Sequence, residues 1–216
     1  MAASTSLLRR RATAALVAVA SGLLAAGCIT GERPTLAEGP LLTGDPAVDA
    51  VLARLDGAGA TIFTAGYDVL TRFGNLQTPA TVAQDGAARR SVTIGRVRFI
   101  VDGSSTATCD LDTSSCTTTI DTARVSDTQL TPDFYAASAA ATLRRDAAGR
   151  TGPPTMTTET VAGQPTTCVS VPLGDGQSTY CALDSGPLAR LDAADRVVTM
   201  TTYAPSADPT AFTRPG

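Results

Sequence analysis

The chain has 216 residues, 43% of them hydrophobic and 17% charged, with 17 basic residues, all Arg, against 20 acidic ones. A domain of this size buries about 70% of its extended-chain surface, so it needs no metal or cofactor simply to fold. The net charge of −3, more negative still without Arg9, Arg10 and Arg11, argues against a nucleic-acid binder, and the absence of His and Lys removes the usual general bases and Ser–Lys dyads.

The first 27 residues form a targeting segment: a polar start ending in Arg9-Arg10-Arg11, an apolar run over residues 12–26, then small side chains ahead of Cys28. Positive charge holds the start on the cytoplasmic side, and the apolar run is shorter than the roughly 20 residues of a permanent span. Leu24-Ala25-Ala26-Gly27-Cys28 resembles the bacterial lipobox. That resemblance implies diacylglycerol on the Cys28 sulfur, cleavage between Gly27 and Cys28, and a cell-membrane protein held at the outer, extracytoplasmic face by its lipid. Two or three acyl chains, each CH₂ contributing about 0.8 kcal/mol on burial, anchor where one does not. Residues 28–44, with Gly31, Pro34, Gly39, Pro40 and Gly44, lack periodicity and read as a flexible lipidated tether.

A single α+β domain is expected over residues 45–204. Asp45-Pro46 opens a helix, because a carboxylate accepts orphan amide hydrogens and proline suits the first helical position. Val48, Val51, Leu52 and Leu55 give it one apolar stripe before Gly57 and Gly59. From residue 61 the period falls to two. Strands are predicted over 61–72, 81–84, 91–94, 96–102, 106–110 and 117–120, with Phe63, Ala65, Tyr67 and Val69 on one face of the first and Val97, Phe99 and Val101 on one face of the fourth. No crossover helix separates them, which points to an antiparallel meander.

Thr131-Pro132-Asp133 is predicted to begin a second helix running to Ala148, with Phe134, Ala137, Ala141 and the set Tyr135, Ala139, Leu143 facing inward. Strands return over 156–161, 166–173, 178–183, 187–191 and 196–203. Val169, Val171 and Leu173 alternate, as do Val197, Thr199, Thr201 and Tyr203; residues 205–216 read as a loop-like C-terminal tail. The fold class is thus a curved antiparallel sheet over two main helices.

Of the five cysteines, Cys28 goes to lipid and four remain. They allow three pairings, of which Cys109 with Cys116 and Cys168 with Cys181 needs only two short hairpin-like closures. A metal site is disfavoured, since the spacings are not paired CxxC units and no His is present. Asp110 and Asp112 lack the Gly and closing Glu of a calcium loop, and no nucleotide-binding glycine motif occurs, so no cofactor is expected.

Phe63-Thr64-Ala65-Gly66-Tyr67-Asp68-Val69 and the element Cys168-Val169-Ser170-Val171 followed by Thr179-Tyr180-Cys181-Ala182-Leu183-Asp184-Ser185-Gly186-Pro187-Leu188, together with the lipobox, resemble actinobacterial cell-envelope lipoproteins of the LolA/LolB-like superfamily, of which the LppX and LprG group is a branch. The resemblance implies an unclosed half-barrel wrapped over helices, enclosing an apolar cavity for acyl chains. Cavity candidates are Val97, Phe99, Val101, Phe134, Ala137, Ala141, Val169, Val171, Val197 and Tyr203. It implies a non-enzymatic protein that binds or transfers a lipid or other amphiphile. The alternative is a protein-interaction or sensory module with an envelope protein partner, like the anti-sigma regulators that share the fold.

Overall fold

A computed structural model describes residues 42–174 and 176–215. The targeting segment, Cys28 and most of the tether lie outside the described residues. Helix α1, Pro46–Gly57, begins where the sequence places it: Asp45 accepts from the amides of Ala47 and Val48 at 3.0 and 3.5 Å, and Val48, Val51, Leu52 and Leu55 are buried. Two further helices are the short α2, Thr122–Thr128, and α3, Ala137–Ala148, as long as α1.

Eleven strands form one antiparallel sheet. The N-terminal meander comprises β1 (Ile62–Thr71), β2 (Leu76–Asp85), β3 (Arg89–Ile94), β4 (Val97–Asp102), β5 (Ser105–Asp110) and β6 (Ser115–Thr117). The C-terminal meander comprises β7 (Thr155–Val161), β8 (Gln164–Leu173), β9 (Gly176–Leu183), β10 (Leu188–Asp192) and β11 (Arg196–Ala204). The strand order β6-β5-β4-β3-β2-β1-β11-β10-β9-β8-β7 joins the two meanders through the β1–β11 pair and leaves β6 and β7 as edges, so the sheet is not closed into a barrel.

β6 ends earlier than the 117–120 stretch predicted. Asp110 accepts from the Asp112 and Thr113 amides and sets the turn, while Thr118 and Thr119 give their carbonyls to the side chains of Thr106 and Thr108 instead of to a ladder. In β11 the alternation predicted from Val197 through Tyr203 is broken. Gly66 pairs with Thr202 and Tyr67 with Met200, so Thr201 is an unpaired bulge residue. Val198 and Met200 therefore enter the core, and Tyr203 returns to it, stacked on Phe63 at 6.1 Å.

The predicted helix from 131 to 148 is also broken. Ala136 has φ −139° and ψ −103°, and its predecessors form a turn in which Phe134 and Ala136 donate to the carbonyls of Thr131 and Asp133. The Leu188 amide donates to the Tyr135 carbonyl at 2.8 Å, which ties the break to β10. Because α3 starts only at Ala137, its buried side is Ala139, Ala140, Leu143 and Ala147, and Ala137 and Ala141 face solvent.

The two longer helices pack on each other; α1 lies on β8 and β9, and α3 on β8. At Gly186 a Cβ would stand 2.9 Å from the Ala58 Cα, and φ is +116°, so only glycine lets the β9–β10 turn meet the end of α1 this closely. Thr64 donates to the Ser206 carbonyl and accepts from the Asp208 amide, and the turn Pro209–Phe212 packs on β3 and β4. Phe212 is buried there, with the Arg89 guanidinium 4.4 Å above its ring.

Candidate functional site

The inner face of the N-terminal meander is set by alternation. In β3, Arg90, Val92 and Ile94 share it, opposite Val101, Phe99 and Val97 of β4. Among the described residues no long helix covers these side chains; segment 118–136 crosses them as a strap. It is fixed at its start by Thr108, which accepts from the Asp121 amide, and by Asp121, which caps α2 by accepting from Ala123 and Arg124. Arg196 donates to the Gln129 carbonyl at 3.1 Å midway. At the end Tyr135 donates its hydroxyl proton to Gln84 Oε1, while Gln84 Nε2 donates to the Gly59 carbonyl at 2.8 Å.

A cleft opens on either side of the strap. The first, about 290 Å³, is lined by Arg90, Val92, Phe99, Val101, Ile120, Thr131, Pro132 and Asp133. The second, about 310 Å³, lies between the strap, α3 and the β10–β11 hairpin, with Leu130, Phe134, Ala139, Leu191 and Val198 as its apolar wall and Arg145, Asp195 and Arg196 among its polar residues. Thr131 borders both. Their volumes stand at the lower end of the range for small-molecule sites.

Two polar atoms on this side are buried without a hydrogen-bond partner, the Tyr67 hydroxyl and Arg90 Nε. Tyr67 lies edge-on to Phe134 at 5.1 Å, and its complete burial pushes the phenol pKa well above the ordinary value. Burial also raises Tyr135, to about 12, with Arg90 opposing the shift and Asp133 adding to it. Arg89 Nε, one residue earlier and on the other face, is likewise buried without a hydrogen bond, but it has the Asp102 carboxylate at 3.1 Å, and its Nη1 has Asp85 at 3.2 Å.

The structure does not bring the cavity candidates to one place. Phe99 and Val101 line the first cleft and Phe134 the second. Val169 and Val171 are completely buried in the main core, on the strand that both long helices contact. Val97 is buried, Val197 and Tyr203 are partly exposed, and Ala137 and Ala141 are exposed. Arg90, Ile120, Thr131, Leu191 and Val198 also line the clefts and are not among the residues expected from the sequence. Arg90 carries a signal, since it continues the alternation of Val92 and Ile94, but β3 begins at Arg89, two residues before the predicted start at 91.

Both local disulfides are present. Cys109 faces Cys116 across β5 and β6, in a small cluster with Ile100 and Ala107; Cys168 faces Cys181 across β8 and β9, inside the main core. Glu159 approaches the second pair, but the two sulfurs are bonded to each other and offer no thiolate to a metal.

No family model matches the sequence, and no curated protein matches it. Among solved structures, the chain is similar to MucB in complex with MucA(peri), with a TM-score of 0.50 and 13% identity over 77% of this chain and 59% of that one. The chain thus spans less than two thirds of the MucB chain. A chain of the Pseudomonas aeruginosa MucA/MucB complex aligns with a TM-score of 0.40 and 12% identity, over 77% of this chain and 60% of that one. The Mycobacterium tuberculosis lipoprotein LppX aligns with a TM-score of 0.36 and 17% identity, over 74% of this chain and 97% of that one. At 13% identity the likeness to MucB is one of fold alone.

Proposed function

We propose that this chain is a non-enzymatic envelope module, lipid-anchored through Cys28 at the outer face of the membrane, that receives the apolar part of an amphiphile beside the strap of residues 118–136. The observation that carries the reading is the pair of clefts flanking the strap, which share Thr131 and have apolar walls from the sheet and from the strap itself. The two disulfides support an oxidising, extracytoplasmic setting, and the lipobox at 24–28 supports the anchor.

A second reading has its own support. MucB is recorded in complex with MucA(peri), and Phe73 and Leu76 stand 91% and 55% exposed at the tip of the β1–β2 hairpin, a pair of apolar side chains suited to a protein partner.

The two are separated by native mass spectrometry with lipid extraction on the full chain taken from its own membrane. Non-covalently held lipid, released by extraction and distinct from the acyl groups on Cys28, is the expected result. Protein that carries none and whose interior takes up no apolar dye contradicts amphiphile binding.

A further inference from the structure

We infer that Arg90 is the headgroup receptor of the first cleft, so that its ligand is an amphiphile whose head carries a single negative charge. The inference rests on the amphiphile-binding reading and names the ligand class for it.

Arg90 is the cation of the β3 inner face, next to the apolar Val92 and Val101. It pairs across the ladder with Gln84 on one side and Val101 on the other, and it precedes Val92 on the same face. Gln84 is not its partner: the side-chain amide already donates to the Gly59 and Gly86 carbonyls, and its oxygen accepts from Tyr135. The Nε of Arg90 is shielded from solvent with no acceptor, and no hydrogen bond or ion pair of its guanidinium occurs among the described residues. Most other arginines of the described domain do have such partners: Arg54 pairs with Asp184, Arg72 with Asp192, Arg124 with Asp110, and Arg190 with Glu159.

Leaving a buried guanidinium N–H without an acceptor is costly, and a fork of donors fits the two oxygens of a carboxylate or a phosphodiester. The walls next to it, Val92, Phe99, Val101 and Ile120, offer no acceptor. They suit the chain behind such a head. Asp133 from the strap borders the same cleft without forming an ion pair to Arg90. Its carboxylate opposes a second negative charge, which sets the limit at a monoanion. Tyr135, also beside Arg90, keeps its proton at neutral pH and adds no charge.

The test is calorimetric titration of the full processed chain with decanoate and with decanol at neutral pH, repeated on Arg90→Gln. Decanoate is expected to bind about 10- to 100-fold more tightly than decanol, and Arg90→Gln is expected to remove that preference. Asp133→Asn is expected to tighten decanoate. Equal binding of acid and alcohol by the unsubstituted chain overturns the assignment of Arg90 and leaves amphiphile binding standing, and it does so without reliance on any variant folding. Binding of neither compound overturns both. Decyl phosphate in its dianionic form binding more tightly than decanoate contradicts the monoanion limit set by Asp133.

Discussion

In the C-terminal meander, Val169, Val171 and Tyr180 lie completely buried on strands that α1 and α3 contact, and Tyr180 donates to Asp146 of α3 at 2.6 Å. In the N-terminal meander the inner-face residues Val92, Phe99 and Val101 meet a strap whose regular part is only the seven residues of α2. Both meanders alternate in the same way, but a helix presents a continuous stripe to a sheet, whereas an irregular strap touches it at separate points such as Ile120, Leu130 and Phe134. Beneath α1 and α3 the inner faces of β8 and β9 are filled. The strap leaves a cleft on each side, and Arg90 Nε and the Tyr67 hydroxyl stay without a hydrogen bond among the described residues.

The contrast is sharpest in the cost of truncation. Leu143→Ala, on the buried side of α3 with no exposure, is expected to lose about 2–5 kcal/mol of unfolding free energy. Ile120→Ala, in the strap and only partly buried, is expected to lose about 1 kcal/mol or less. Urea unfolding of the two variants checks this, and equal losses break the distinction between a filled half and an open one.

The disulfides carry a smaller version of the same difference. Chain entropy favours the Cys168–Cys181 bond, closing 13 residues, over Cys109–Cys116, closing 7, by about 0.5 kcal/mol. The former also lies in the main core, where replacement by Ala leaves a void. The double Ala variant at 168 and 181 is therefore expected to be less stable than that at 109 and 116 by about 1 kcal/mol. The reverse order in denaturant midpoints places the weight of the fold in the wrong half.

The regular elements were legible in the sequence because their signals are local. Asp45-Pro46 and the stripe from Val48 to Leu55 define α1 without reference to anything else, and the alternation from Phe63 to Val69 defines the inner face of β1. What stayed hidden depends on contacts distant in sequence. The bulge at Thr201 exists only in register with Gly66 and Tyr67. The break at Ala136 is held by Leu188, more than fifty residues on, and no propensity in an Ala-rich stretch announces it. The tail beyond residue 205 lacks periodicity, and its order comes from Thr64 and Arg89. The clefts belong to this second class, since their walls join β3 and β4 to the strap, or the strap to α3 and β10.

The central claim is that an apolar ligand enters the strap-covered half. Nuclear Overhauser contacts between bound decanoate and the methyl groups of the full chain test it directly. Contacts to Val92, Val101 and Ile120 are predicted, whereas contacts to Val169 and Val171 beneath the two long helices, with none at the strap, contradict the account.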